Sequence, residues 1–491
     1  LFKKIGDELI MVYNPKVEEV AVGQNILIYD EASKRGIIAQ VIDQDLVDFP
    51  GILESILRSE IAKGYKKEEY TSKEIKTLEE TLKDMKFLRA KIRKELTNGN
   101  LVDWSGWCPI RSSKIKTIKE EDIIKMLNLD KMKYPIEIGE TVPSGNSMRI
   151  SAHDLQGISI IVGKKGVGKS HLAKVLLLGL IDRGGIGIVF DVNDEYSNLD
   201  KNLDGTPNEY KDRLKKLRPG INLKFALDYV GEDVFLNVMS TTLRLGDPSL
   251  MHLKKVWGNL EREIREGTFH GAFDLNALRV KLQREQASQS ITEAIMRRID
   301  QLERTGIFTS NPSEAVTLEG LIEGMKEDGK GGAIIINLKE IDKLTMDITV
   351  QTILSKLEEL LEGGKIPYPF IFAEEAHMYL GETQWMNVVT RMRHLGAYQI
   401  YMTNSPTAIQ QFVVRQADNL FLFYLADRKD FSHILPAAKI DYETISQVAR
   451  ALPARTCLVV GVATEDYPFV VRIKQLEAMA SGETKKFFKE R

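Results

Sequence analysis

Two cysteines in 491 residues, Cys108 and Cys457, lie far apart in the chain. They exclude a disulfide framework and any cysteine-based zinc spacing, and they fit a reducing, cytoplasmic setting. Charge of one sign is lacking as well. The 68 Lys and Arg against 70 Asp and Glu leave a formal net charge of −2. No global basic field is present to coat nucleic acid, so any DNA contact has to come from local patches such as loops lining a pore. No apolar run reaches the roughly 18 residues that span a membrane. The charged, short apolar pattern of residues 1–10 does not read as a signal peptide. What remains is ordinary: 43 % hydrophobic and 28 % charged residues, in a chain too long for one compact core, so two or three domains are expected.

The texture changes along the chain. Short alternating runs at 8–13, 25–29 and 35–42, punctuated by Gly23 and Gly36, predict a small β-barrel over 1–133. Within it, residues about 51–98 carry apolar residues at three- and four-residue spacing among many charges, which predicts a helical insertion. From 134 the text is α/β. Buried runs at 158–162, 186–190, 333–337, 370–373, 399–403, 419–424 and 457–462 alternate with helical patterns. That implies a largely parallel sheet covered on both faces. The expected core is 134–205 plus 319–491, with a helical insertion subdomain over 206–318.

The strongest motif is Gly163-Lys164-Lys165-Gly166-Val167-Gly168-Lys169-Ser170, a full G-x-x-x-x-G-K-[ST] between a buried strand and a helix. Its glycines allow backbone N–H groups to turn around phosphates, and the helix N-terminus adds its positive end. The expected nucleotide-binding set is Gly163, Lys165, Gly166, Val167, Gly168, Lys169, Ser170 and His171. Lys169 is expected on the β- and γ-phosphates, and Ser170 on Mg²⁺. A chance Gly/Lys turn would lack the flanking strand and helix. The second motif is "PYPFIFAEEAH". Glu374 and Glu375 end a buried strand, where ligands bind in open α/β sheets. Glu374 is expected to reach Mg²⁺ through water, and Glu375 to polarise the attacking water; the bland alternative is an exposed acidic strand end.

A later strand ends in Thr403-Asn404-Ser405. Asn404 is the candidate γ-phosphate sensor, against simple turn formation by Asn-Ser-Pro. Phosphoryl transfer also calls for an arginine, often from a neighbouring subunit. Arg393 is the first candidate, with Arg391 and Arg415 behind it, and a salt bridge is the alternative for each. His377 and His394 lack a third ligand at metal-binding spacing and read as packing residues. The stretch "RLKKLRPG", with Arg213, Lys215, Lys216 and Arg218, is the candidate basic loop, against a merely solvated one.

Several segments in order resemble the HerA branch of HerA/FtsK ATPases: "VEEVAVGQNILIYDE", "GKKGVGKS", "IGIVFDVNDEYSNL" with Asp191, Glu195 and Tyr196, "GAIIINLKEI", "FIFAEEAH", "YMTNSP" and "ALPARTCLVVGVATEDYPFVVRIK". Asn404 stands where that family often has Gln, Glu374 where Asp is usual, and Gln156-Gly157 where some relatives carry Arg. The resemblance implies a RecA-like ATPase that uses ATP and Mg²⁺ and forms a homohexameric ring with nucleotide between subunits. It implies double-stranded DNA in the pore and an N-terminal barrel that docks an effector, such as a NurA-type nuclease or a sirtuin-type NAD hydrolase in antiphage defence. The rival reading is a ring scaffold in which ATP turnover gates an effector with little movement on DNA. A kinase-type phosphotransferase leaves the barrel and the carboxylate pair without a purpose.

Overall fold

The computed structural model describes residues 1–16, 19–46, 85–325, 328–381, 385–386, 388–438 and 440–479. Strands β1 (Lys3–Ile5), β2 (Glu8–Tyr13), β3 (Asn25–Asp30), β4 (Arg35–Leu46), β5 (Lys86–Thr97), β6 (Asn100–Val102) and β7 (Lys114–Ile118) form one antiparallel sheet. Its order is β1-β2-β5-β4-β3-β7, with β6 on β5. Alternate residues point inward from neighbouring strands, among them Leu9 and Met11, Ile26 and Ile28, Ile37 and Ala39, and Leu88 and Ala90. They bury one another in a core of their own. Among the described residues β1 and β7 do not pair, so this sheet is open between them.

The helical insertion expected at 51–98 requires a correction. Residues 47–84 lie outside the described residues, but Lys86–Thr97 is a twelve-residue strand, paired with β2 on one side and β4 on the other. The physical reason is a shared period. Leu88 and Ile92 are four apart, which places them on one face of a helix and also on one face of a strand; a bulge at Arg93 then turns Leu96 to the opposite face. Two neighbouring strands decide between these, and Ala90 completes the strand face.

The second sheet has eleven strands: β8 (Pro135–Thr141), β9 (Ser147–Ser151), β10 (Ile158–Val162), β11 (Ile186–Asp191), β12 (Leu214–Leu217), then β15 (Gly332–Asn337), β16 (Pro369–Glu374), β17 (Tyr398–Thr403), β18 (Asn419–Leu422), β19 (Thr456–Gly461) and β20 (Phe469–Ile473). Between them in the chain, β13 (Phe225–Ala226) and β14 (Phe308–Thr309) make a separate pair. The order is β12-β15-β11-β16-β17-β10-β18-β19-β20-β8-β9. Pairing is parallel from β12 to β18 and antiparallel from there to β9. Strand β17 therefore lies between the phosphate-loop strand β10 and the carboxylate strand β16. This is the RecA-like arrangement expected from the sequence.

Helix α1 (Lys169–Asp182) follows β10, and its apolar residues pack on the sheet. Helices α2 (Asp247–Arg265), α3 (Leu275–Arg284) and α4 (Gln289–Thr305) form a small bundle. Their buried stripes, such as Leu253, Val256, Trp257 and Leu260, repeat every three or four residues. Helices α5 (Lys343–Glu362), α6 (Arg428–Ala438) and α7 (Tyr442–Ala451) follow in the chain. Side chains of Asp274, Ser288, Asp342 and Asp441 cap α3, α4, α5 and α7. The helical segment is narrower than 206–318, because β12 is an edge strand of the large sheet, paired with β15.

The two sheets meet through buried polar contacts. Arg93 on β5, with 5 % of its side chain exposed, reaches Asp441 at 3.3 Å and donates to the Thr444 hydroxyl at 2.6 Å. The Tyr467 hydroxyl donates to Asn25 Oδ1 at 2.6 Å. Among the described residues no helix is long and apolar enough to cross a membrane. Cys108 and Cys457 are both free.

Candidate nucleotide site

Strand β10 is buried along its length and runs directly into Gly163. A Cβ there would lie 2.6 Å from Phe423 Cβ, so only glycine lets the loop leave the strand beside that ring. Gly166 at φ +81° and Gly168 at φ +117° turn the loop into the N-terminus of α1. The Lys164 N–H donates to Tyr424 O at 2.9 Å and pins the loop to the chain after β18. Lys165 and Gly166 are exposed, and Val167, Ser170 and His171 are half-buried.

Lys169 is buried. Its Nζ donates to Gly163 O at 2.8 Å, to Lys164 O at 3.0 Å and to Asn404 Oδ1. Burial pulls its pKa down to about 8 against the opposing pull of Glu375, Glu195 and Glu374. Asn404 carries the contact onward. Its backbone N–H donates to Glu375 Oε1 at 3.0 Å, and its side-chain amide to the same oxygen at 2.7 Å. The Thr403 hydroxyl donates to Glu375 Oε2 at 2.7 Å. Both carboxylate oxygens of Glu375 are thus held by the end of β17. Glu375 itself sits at φ +44°, ψ +47°, a left-handed conformation with a steric cost that clusters at functional sites. His377 Nδ1 lies 3.6 Å from Glu375 Oε2.

Glu374, 4 % exposed, faces a different environment. Its Oε1 accepts from Asn193 Nδ2 at 2.9 Å. Its Oε2 is buried without a partner, which is costly unless a donor or cation meets it. Burial, then the charges of Glu195 and Asp191, push its pKa up to about 8. Asp191 is turned to structure: its oxygens accept from the backbone N–H groups of Asn193, Glu195 and Tyr196. Lys174, one and a half turns after Lys169 on α1, lies 3.4 Å from Glu195 and 5.6 Å from the centre of the Tyr196 ring. Among the described residues no three His, Cys, Asp or Glu side chains form a metal cage. A buried carboxylate oxygen without a donor on Glu374 and a hydroxyl on Ser170 at the start of α1 are the oxygen chemistry that Mg²⁺ takes when phosphate oxygens and water complete its shell.

The arginines differ from expectation. Arg393 binds Asp418 at 2.9 and 3.1 Å and the Gln416 carbonyl at 3.3 Å. The same Asp418 accepts from the Ile158 N–H at 2.8 Å, at the start of β10. That is the end of the strand opposite the phosphate loop, so the guanidinium is committed to a clasp within its own chain. Arg391 pairs with Glu358 at 2.5 Å and Glu362 at 2.7 Å. Arg415 is exposed at the end of the short helix Gln411–Arg415.

The basic "RLKKLRPG" set is not a loop but largely β12. Lys216 pairs with Asp200 at 2.5 Å, and Arg213 and Arg218 donate to the carbonyls of Gly331 and Lys339. Sequence reasoning missed Asn193 and the hydroxyl of Thr403, although both stood in segments marked as strand ends. Only the spatial order of strands joins them to the carboxylates.

Residues 136–357 match the family described as "Helicase HerA, central domain". The chain is 20 % identical over 395 residues to the DNA double-strand break repair helicase HerA of Sulfolobus acidocaldarius, which covers 76 % of this chain and 75 % of that protein. Among solved structures it resembles VirB4 of Thermoanaerobacter pseudethanolicus at a TM-score of 0.50 and 15 % identity, over 70 % of this chain and 96 % of that one. The plasmid coupling protein TrwB in complex with ADP and Mg²⁺ matches at 0.48 and 14 % identity, over 75 % and 94 %. The VirB4 likeness is one of fold.

Proposed function

We propose that this chain, whose residues 136–357 match the family described as "Helicase HerA, central domain", is an ATP-hydrolysing motor that moves along double-stranded DNA and works with an effector protein. One observation carries the catalytic part: the continuous contact from Lys169 through Asn404 to Glu375. It couples the group that holds phosphates to the carboxylate that handles water.

In this reading the N–H groups of 165–170 and the N-terminus of α1 take the phosphates of ATP. Lys169 places its charge at the β- and γ-phosphates. The carboxylate of Glu375, aimed by Thr403 and Asn404, accepts a hydrogen bond from the attacking water and orients its oxygen toward the γ-phosphorus. The bond from that phosphorus to the bridging oxygen breaks as the water oxygen bonds, a water proton passes to the Glu375 carboxylate or a γ-phosphate oxygen, and ADP and phosphate leave. Asn404 touches both sides of this step, so it can report γ-phosphate loss to β17. Mg²⁺, held by Ser170 and through water by Glu374, would neutralise phosphate charge.

The wider assembly rests on the family resemblance: a six-membered ring with nucleotide between subunits, DNA in its pore, and a NurA-type nuclease or sirtuin-type NAD hydrolase as effector. The trans-acting arginine is then sought in exposed residues such as Arg415 rather than in Arg393. A scaffold that gates an effector without processive movement is favoured by one observation. Lys216 of β12 and the flanking Arg213 and Arg218 are engaged within the chain, so these three are not free as a pore grip.

The test is steady-state phosphate release with and without double-stranded DNA, beside Glu375→Ala. Turnover that DNA stimulates and the variant abolishes supports the motor. Turnover that only a partner protein stimulates supports the scaffold. Equal rates for variant and wild type sink the catalytic assignment.

A further inference from the structure

Arg455 joins α7 to β19, and nothing in the mechanism above uses it. Its backbone is left-handed at φ +60°, a conformation that an arginine adopts only at a steric cost and that glycine adopts freely. Both of its backbone groups are engaged. Its N–H donates to Val167 O in the phosphate loop at 2.8 Å, and its carbonyl accepts from the Ile473 N–H at 2.9 Å. The residue is therefore stapled between the loop and β20.

Its side chain runs over Gly168, the N-cap of α1. A Cβ on Gly168 would meet Arg455 Cα at 3.2 Å and Cγ at 3.6 Å. Arg455 is exposed, and among the described residues its guanidinium has no hydrogen bond, ion pair or ring contact. His171, one turn into α1, shares this rim and meets Lys474 O at 2.7 Å. Burial above all, and also the positive field of Arg455, hold the His171 ring below its ordinary pKa.

The strand order says which part of a nucleotide lies here. Glu375 and Asn404 flank β10 on the β16–β17 side, where the γ-phosphate is hydrolysed. Arg455 reaches the same helix N-terminus from the far side, past β18 at the start of β19. We infer that Arg455 is a nucleotide-binding residue of the chain's own site, gripping the α- and β-phosphates of nucleoside di- and triphosphates from the side opposite Glu375. A guanidinium suits this task because its planar fork can donate twice to phosphate oxygens. The inference rests on the nucleotide reading of the phosphate loop.

The test is titration of a fluorescent ADP analogue, with Mg²⁺, into full-length wild type, Arg455→Gly and Arg455→Lys, with thermal midpoints measured in parallel. Glycine accepts the left-handed backbone, so the two backbone hydrogen bonds survive and the midpoint stays at or above that of wild type. The dissociation constant nevertheless rises about tenfold, equally for ADP and ATP, with Arg455→Lys in between; in turnover the loss appears chiefly as a raised KM. An unchanged dissociation constant in Arg455→Gly, or a loss confined to ATP, overturns the inference while leaving the ATPase reading intact. Wild type that binds neither nucleotide overturns both.

Discussion

One carboxylate oxygen of Glu375 accepts two hydrogen bonds from a single residue, the backbone N–H of Asn404 at 3.0 Å and its side-chain amide at 2.7 Å. The side-chain oxygen of that amide meanwhile accepts a hydrogen bond from Lys169 Nζ. Asn404 is thus oriented from both ends, and its amide cannot flip without breaking two charge-assisted contacts. Asn404→Ala leaves the backbone bond and removes the bridge. A charge-assisted hydrogen bond is worth about 1.5–3 kcal/mol. The expected loss in kcat is therefore about tenfold to a hundredfold, with ADP affinity close to wild type. Single-turnover phosphate release and ADP titration together check this.

Arg393→Ala separates a structural arginine from a catalytic one. The guanidinium holds Asp418, which in turn holds the first residue of β10. Removing it leaves a half-buried carboxylate unpaired and lowers the thermal midpoint, whereas kcat per folded molecule stays near wild type. Mixing this variant with Glu375→Ala subunits offers a second readout: a trans catalytic role would give different activity from mixtures with wild type, and the clasp would not.

The buried contact between β5 and α7 is open to a coupling measurement. Arg93→Met removes the guanidinium from Asp441, whose side chain is 25 % exposed and keeps its Thr444 hydrogen bonds. The expected loss therefore lies below the roughly 3–5 kcal/mol of a fully buried pair. Asp441→Asn alone is also costly, since it strands Arg93 and weakens the cap on α7. The double variant should recover part of the sum. Denaturant unfolding of all four proteins measures the coupling, and strict additivity would show that the two residues do not act as a pair.

The stability of the protein should depend on pH through Glu374. Its folded pKa is about 8 against an ordinary 4.5, so between these values the folded state binds more protons than the unfolded one. Stability from this group is fully present below about pH 4.5 and is lost as pH rises through 8. Glu374→Gln, which keeps the shape and removes the charge, should flatten that decline in metal-free buffer. Thermal midpoints from pH 5 to 9 decide it; parallel curves for the two proteins would mean that Glu374 is ionised throughout.

Much of the core was legible in the residue pattern. The runs at 158–162, 186–190 and 370–373 are strands in the structure to within a residue at each end, because fully buried parallel strands are continuous apolar runs with little else to be. The phosphate loop is local in sequence, and a turn followed by a helix needs no distant partner to be recognised. The amphipathic helices α2 and α4 likewise announce themselves by period alone.

What only the tertiary structure decided is whatever depends on neighbours far along the chain. Lys86–Thr97 satisfies helix and strand periods together, and pairing with β2 and β4 selects the strand. Arg393 differs from any surface arginine only because folding brings Asp418 to it from 25 residues away. Arg455 lies 288 residues beyond Val167, and their hydrogen bond exists only because β19 and β10 belong to one sheet. Local hydrophobic period and turn chemistry are written residue by residue, whereas the partner of a charge is set by which strands the folded sheet makes neighbours.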